Sequence, residues 1–293
     1  MSGRILAVLA LAGSVSCSAA SPAGPTDPGL ARETATATAT TEGRTLIVGD
    51  LERSYTLVQP VPQDGPMPLL IALHPFGGRP ESLMLSSRFA ELAETDGVLV
   101  AFPAGVSGSW NAGPCCGDAV IQEIDDVAFI RSLIEELESQ YPVDPGQVFV
   151  TGFSNGGGLT YRVGCELSDV ITAIGVVAGA LLRDCQLTRP VSLIALHGTS
   201  DVTVPFAGGD GAAGIDYPSV IETVEDWAQT DGCAAEPTTE ESEEATRTAW
   251  SDCADGSRVL LIAATNQGHL WFFPEPDASV ELWTFFDSLA SGS

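Results

Sequence analysis

The sequence predicts an α/β fold: a mainly parallel central sheet with helices on both faces, entered through an antiparallel strand pair. Two observations carry that expectation. Short apolar runs that read as strands alternate with helix-spaced runs along most of the chain. One of those runs, 147–150, leads into Gly152-Phe153-Ser154-Asn155-Gly156, and a glycine- and leucine-bearing helical stretch follows. A strand, a tight G-x-S-x-G turn and a helix form a nucleophile elbow, with the serine at its apex. Glycines flank the serine because such a turn is strained and crowded.

The elements follow in order. Residues 45–48 and 55–59 alternate or carry β-branched side chains and read as an antiparallel pair turning at Gly49-Asp50. The unbroken apolar run in 67–74 is that of a strand covered on both faces. Leu83, Phe89 and Leu92 set a helix over 81–94, and 97–102 is another buried strand. Val127, Ile130, Leu133, Ile134 and Leu137 make one stripe of a helix over 125–141. Asp125 and Asp126 open that helix, where the dipole favours acids, so a structural role is expected for both. Strands are expected at 147–153, 171–178, 191–197 and 258–264, and helices from 156 to about 165, at 218–227 and at 279–289. No internal repeat, second domain or insertion long enough for a large lid is evident.

A serine hydroxyl is a poor nucleophile near neutral pH, so Ser154 needs a base, and the base needs an acid to fix its tautomer. On folds with this elbow the partners follow in the order acid, then histidine. The chain has three histidines. His74 precedes the serine, and His197 ends a strand. His269 alone follows both the serine and a loop acid, which makes it the candidate base. Asp201 stands just after the strand that carries His197, at the carboxyl edge of the sheet where ligands bind in α/β folds. Asp210 and Asp216, in a glycine-rich loop, are its rivals. An oxyanion needs two backbone N–H donors. Asn155, next to the nucleophile, is one candidate. Pro75 has no N–H, so Phe76 is the other, with Gly77 and Gly78 allowing close approach.

Composition narrows the setting. The chain is 293 residues long with a net charge of −27, and all of its twelve basic residues are arginine. Nucleic acid needs a basic footprint, so it is disfavoured as a partner, as is an anionic membrane face. The acidity fits solubility of an exported protein, and also salty surroundings, where screening relieves self-repulsion. Arg4 followed by the apolar run 5–12 reads as a secretory signal over 1–20. Ser14-Val15-Ser16-Cys17 resembles a bacterial lipobox with Cys17 as the lipidated residue, though Ser14 departs from the usual leucine; Ser18-Ala19-Ala20 is a competing cleavage site. The Pro-, Ala- and Thr-rich segment 21–43 reads as a disordered tether, ahead of a catalytic domain over 44–293.

Without Cys17, six cysteines remain, an even count that suits disulfides in an exported chain. Fifteen pairings exist; locality favours Cys165–Cys185 and Cys233–Cys253, leaving Cys115 and Cys116 as a vicinal pair or two thiols. Their spacing fits no metal site, and neither metal nor cofactor is expected.

Five segments occur in order: Leu73-His74-Pro75-Phe76-Gly77-Gly78, Trp110-Asn111 with Cys115-Cys116-Gly117, Gly152-Phe153-Ser154-Asn155-Gly156-Gly157, His197-Gly198-Thr199-Ser200-Asp201, and Gly268-His269-Leu270-Trp271. Together they resemble the secreted polyhydroxybutyrate depolymerase and feruloyl esterase family of α/β-hydrolases, over nearly everything from Arg44 onward. The resemblance implies the α/β-hydrolase fold and an esterase with Ser154, Asp201 and His269 as its triad. It also implies that the Trp110 and Cys115-Cys116 loop lies near the active site. Two departures touch the pocket: His74-Pro75 replaces the usual His-Gly, and Trp271-Phe272-Phe273 replaces the usual Trp-Pro-Gly.

Phe76, Trp110, Trp271 and Phe272 are candidates for an aromatic acyl pocket, with Phe273 expected in the core. The expected protein is an exported, monomeric carboxylic-ester hydrolase. Its expected substrates are feruloyl- or acetyl-type plant polysaccharide esters, or short hydroxyalkanoate esters. A serine peptidase or acyltransferase on the same fold, or a non-catalytic surface-binding protein, are the alternatives.

Overall fold

The computed structural model describes residues 38–63, 65–234 and 236–290. The expected signal, its Cys17 and residues 21–37 of the expected tether lie outside the described residues. The chain enters through β1 (Thr40–Val48) and β2 (Leu51–Gln59), antiparallel about the Gly49-Asp50 turn, with Thr40 facing Gln59. The sheet therefore begins inside what reads as tether.

Next come β3 (Met67–Leu73), α1 (Pro80–Ser87), α2 (Leu92–Thr95) and β4 (Leu99–Pro103). One helix was expected over 81–94, but Arg88 takes the left-handed conformation (φ 57°), which ends α1 and divides the segment. α3 (Gly117–Ile121) is short; α4 (Asp126–Gln140) leads to β5 (Val143–Phe153) and α5 (Asn155–Glu166). Then follow β6 (Ala173–Val177), β7 (Ser192–Gly198), the two-residue strands β8 (Gly209–Asp210) and β9 (Asp216–Tyr217), and α6 (Val220–Thr230). The chain closes with β10 (Thr238–Glu241), β11 (Ala245–Trp250), β12 (Val259–Ala264) and α7 (Ala278–Ala290).

Among the described residues, ten strands form one sheet in the order β1-β2-β4-β3-β5-β6-β7-β12-β11-β10. The six from β4 to β12 run parallel, and the antiparallel pairs lie at the two edges. Successive strand residues point to opposite faces, so each central strand feeds two cores. In β3, Leu69, Ile71 and Leu73 join one cluster, and Leu70 and Ala72 the other. The first face is covered by α4, α5 and α6 through Phe129, Leu133, Val163 and Trp227. The second is covered by α1 and α7 through Leu83, Leu282 and Phe286. This is the α/β-hydrolase fold.

The acids at the start of α4 divide their roles. Asp125 caps the helix, its side chain accepting the Ala128 N–H. Asp126 is buried rather than solvated at the dipole. It pairs with buried Arg53 at 2.7 Å and accepts the Asn111 N–H at 2.7 Å. Burial pushes its carboxyl up, with Arg53 and the Asn111 N–H opposing. The Arg53 guanidinium also lies over the Phe129 ring at 4.1 Å. Removing one partner of such a buried pair typically costs about 3–5 kcal/mol.

The cysteines pair as Cys165–Cys185 and Cys233–Cys253, the pairings that locality favours, and Cys115–Cys116 forms a vicinal disulfide. No helix among the described residues is long and apolar enough to cross a membrane.

Candidate active site

Ser154 terminates β5 and precedes α5 with φ 56° and ψ −119°, a conformation that an L-residue adopts only where its surroundings impose it. Its N–H bonds Val177 O of β6 at 2.9 Å, and its C=O accepts the Gly158 N–H at 2.8 Å. The flanking glycines are needed sterically. A Cβ on Gly156 would strike the carbonyl oxygens of Leu73 and His74, and one on Gly152 would strike the Gly156 carbonyl.

The structure brings the three expected triad residues together. His269 Nε2 lies 2.8 Å from Ser154 Oγ, and His269 Nδ1 lies 2.7 Å from Asp201 Oδ2. Two loops at the carboxyl ends of β7 and β12 make this contact, and they are cross-tied. Ser200 N–H bonds Gln267 O, and Asn266 N–H bonds Thr199 Oγ1, each at 2.9 Å. The Phe153 ring stacks on His269 with centroids 5.2 Å apart. Asp201 is buried, which alone would raise its carboxyl. Hydrogen bonds from His197, His269 and the Val204 N–H outweigh burial and hold it well below the usual carboxylate range. Asp210 and Asp216 sit instead on the small β8–β9 ribbon, paired with each other across it.

Asn155 heads α5, where the first N–H groups have no intrahelical acceptor. In the loop after β3, Gly77 and Gly78 use their N–H groups on Gly108 O and Pro75 O, while the Phe76 N–H has no acceptor among the described residues. Both expected oxyanion donors border the same cavity as Ser154 and His269. Buried His74 supports this loop. Its Nδ1 lies 2.8 Å from Pro75 O, its Nε2 accepts the Gly105 N–H at 3.0 Å, and burial lowers its proton affinity.

The cavity is about 590 Å³, and its walls are mainly apolar. Phe153, Leu182, Val204 and Tyr217 line it, and so do Cys115 and Cys116. Two expected substrate contacts are corrected. Trp110 is 0 % exposed and does not border the cavity. It lies beneath the oxyanion loop, its Nε1–H on His74 O at 2.8 Å and its ring 4.8 Å from the His74 ring. Trp271 packs edge-on against Phe89 and Phe153, with Nε1–H on Ser279 Oγ, outside the cavity lining. Phe272 is core, whereas Phe273, expected inside, is 66 % exposed with the Arg88 guanidinium 5.3 Å above its ring.

Two contributors went unread in the sequence. The β8–β9 ribbon supplies Ala212 and Ala213 to the cavity wall, and the Ala212 N–H bonds Thr203 O in the acid loop at 2.8 Å. His197 stands beside Asp201; its place four residues ahead of the acid is the signal that could have found it. Among the described residues no group of three or more His, Cys, Asp or Glu is placed to hold a metal ion.

A serine on a strand-to-helix elbow, an imidazole at hydrogen-bond distance and a buried carboxylate behind it form the arrangement of an α/β-hydrolase with a nucleophilic serine. The chain belongs to the polyhydroxybutyrate depolymerase and feruloyl esterase family of these hydrolases, a family of carboxylic-ester hydrolases. It is 32% identical over 260 residues to the putative esterase NocK of Nocardia uniformis subsp. tsuyamanensis, across 80% of this chain and 75% of that protein. It is 34% identical over 220 residues to feruloyl esterase B of Piromyces equi, across 70% of this chain but 40% of that longer protein. The structure of an acetyl xylan esterase from Aspergillus awamori shares the fold, with a TM-score of 0.61 at 18% identity, over 84% of this chain and 99% of that one. No family model matches the chain.

Proposed function

We propose that the protein is an exported carboxylic-ester hydrolase that works through an acyl-enzyme, with aromatic acyl esters of the feruloyl type as its preferred substrates. The hydrogen-bonded line Ser154–His269–Asp201 at an apolar cavity carries this reading. Ser154 Oγ attacks the ester carbonyl carbon as His269 Nε2 takes its proton. The N–H groups of Asn155 and Phe76 receive the oxyanion. Collapse of the tetrahedral intermediate breaks the bond to the alcohol, which leaves with the proton from His269. Water then repeats the sequence on the acyl-enzyme and frees the acid. Asp201 keeps the His269 proton on Nδ1 and balances the imidazolium that forms.

The cavity volume and the aromatic side chains around it suit a phenolic acyl group better than acetate. The relatives named as feruloyl esterases favour the same class. The signal-like segment 1–20 and the three disulfides support export, and Cys17 is the proposed lipid attachment. A panel of methyl ferulate, p-nitrophenyl acetate, acetylated xylan and poly-hydroxybutyrate tests the assignment. Methyl ferulate should give the highest kcat/KM. Inactivity on all four would overturn the reading, and faster transfer to an added alcohol than to water would reassign it as an acyltransferase.

A further inference from the structure

Two imidazoles meet one oxygen of Asp201. His269 Nδ1 lies 2.7 Å from Oδ2, and His197 Nε2 lies 3.3 Å from the same atom. Oδ1 takes the N–H groups of Thr203 and Val204 at 2.8 and 2.9 Å. A carboxylate offers about four acceptor sites; three are taken by His269, Thr203 and Val204, and the His197 Nε2 stands 3.3 Å from the fourth. The first three donors belong to the triad or to the acid's own turn. The fourth, His197, shares its Nε2 between Asp201 Oδ2 and Val204 O.

His197 is held firmly. It is buried near the end of β7, in register with Ala263 of β12, and its ring packs beside Phe206 at 6.0 Å. Its Nε2 also lies 2.8 Å from Val204 O. A proton on Nε2 serves both acceptors, whereas a bare Nε2 would set a lone pair against two oxygens. The geometry therefore fixes the proton on Nε2, aimed between the acid and its turn.

We infer that His197 is a positioning residue for the His269–Asp201 pair: its Nε2–H pins Oδ2 toward His269 and takes up part of the carboxylate charge that His269 otherwise feels. This rests on the reading of Ser154, Asp201 and His269 as a triad. The backbone donors hold Oδ1 alone, so without His197 the carboxylate plane is free to tilt about that anchor. Each donor to a carboxylate also weakens its pull on a neighbouring imidazolium. Removing one leaves His269 more easily protonated. Among the described residues, Tyr217 from β9 also feels Asp201, its hydroxyl pushed up by burial and by the Asp201 charge.

The test compares His197→Phe, which keeps a ring but offers no donor, with His197→Gln, which restores an N–H. Hydrolysis of a p-nitrophenyl ester is followed against pH. His197→Phe should lower kcat by about 10- to 100-fold with little change in KM, and move the acid limb of kcat/KM upward by about half a pH unit or more. His197→Gln should recover most of both. An unmoved acid limb in His197→Phe, or no recovery in His197→Gln, overturns the inference. Should His197→Phe fail to fold, imidazole nitrogen NMR of the wild-type protein decides. In the neutral imidazole the His197 proton must sit on Nε2, and an Nδ1–H tautomer overturns the inference. Failure of the triad itself looks different: Ser154→Ala would then retain wild-type turnover.

Discussion

Asn155 holds Trp110 by both sides of its backbone: the Trp110 N–H reaches Asn155 Oδ1 at 2.8 Å, and Asn155 Nδ2 donates to Trp110 O at 3.0 Å. The same Nδ2 lies 3.4 Å from Cys115 O. The residue after Ser154 thus locks the loop that carries the vicinal disulfide onto the elbow, and its backbone N–H is the proposed oxyanion donor. Substituting Asn155→Ala leaves the buried Trp110 N–H without a partner, at about 1–3 kcal/mol, while Trp110 O keeps the Ala112 N–H at 3.1 Å. The expected result is a fall in Tm of several degrees and a raised KM for methyl ferulate, read by calorimetry and steady-state kinetics. An unchanged Tm would show that the clamp contributes nothing.

Asp201→Asn should keep the fold yet lose about four orders of magnitude in turnover, because an amide can present the wrong group to His269 and stabilise the wrong tautomer. The Thr203 and Val204 N–H groups still find the side-chain oxygen, so circular dichroism should be unchanged. Retention of most activity would move the acid role elsewhere. In the wild type, Asp201 stays ionised well below the usual carboxylate range. The acid limb of kcat/KM should therefore report an imidazole and not this carboxylate.

Ala212 tests the cavity wall. It borders the cavity and is fixed to Thr203 O. Ala212→Phe should fill part of the space and reduce kcat/KM for methyl ferulate by about tenfold or more, while p-nitrophenyl acetate changes by less than about threefold. Equal losses on both esters would mean that the ribbon does not set acyl size.

Asp231, at the carboxyl end of α6, should make part of the stability pH-dependent. Its Oδ1 accepts the Val191 N–H at 3.2 Å, and its Oδ2 has no hydrogen-bond partner among the described residues. Burial pushes its carboxyl up to about 6. A folded-state value above the unfolded one means that the folded protein binds the proton more tightly. Stability should then fall as pH rises from about 4 through about 6 and level off above. Asp231→Asn removes that loss, so its Tm should exceed the wild type by several degrees at about pH 8 and match it near pH 4. A gain of the same size at both pH values would contradict this.

Much of the fold was legible because the central strands are unbroken apolar runs and α4 carries a clear stripe. The edges were not. β10, Thr-Thr-Glu-Glu, is exposed throughout and carries no alternating signal, so only its pairing with β11 makes it a strand. The break at Arg88 was hidden because a non-glycine residue takes a positive φ there. The positions of Ser154, Asp201 and His269 were legible because chain order and three histidines leave few assignments. Trp110 and Trp271 were misplaced because a motif reveals that an aromatic is near the site but not which way it faces. Trp110 turns inward to donate to His74 O, a contact between residues 36 apart that no local pattern announces.

In the proposed mechanism Ser154 is a nucleophile activated by His269. A fluorophosphonate probe on the folded protein, followed by peptide mapping, tests it most directly. Labelling should be stoichiometric on Ser154 alone, abolished in Ser154→Ala and strongly slowed in His269→Ala. Folded protein that takes no label, or takes it on another residue, would contradict it.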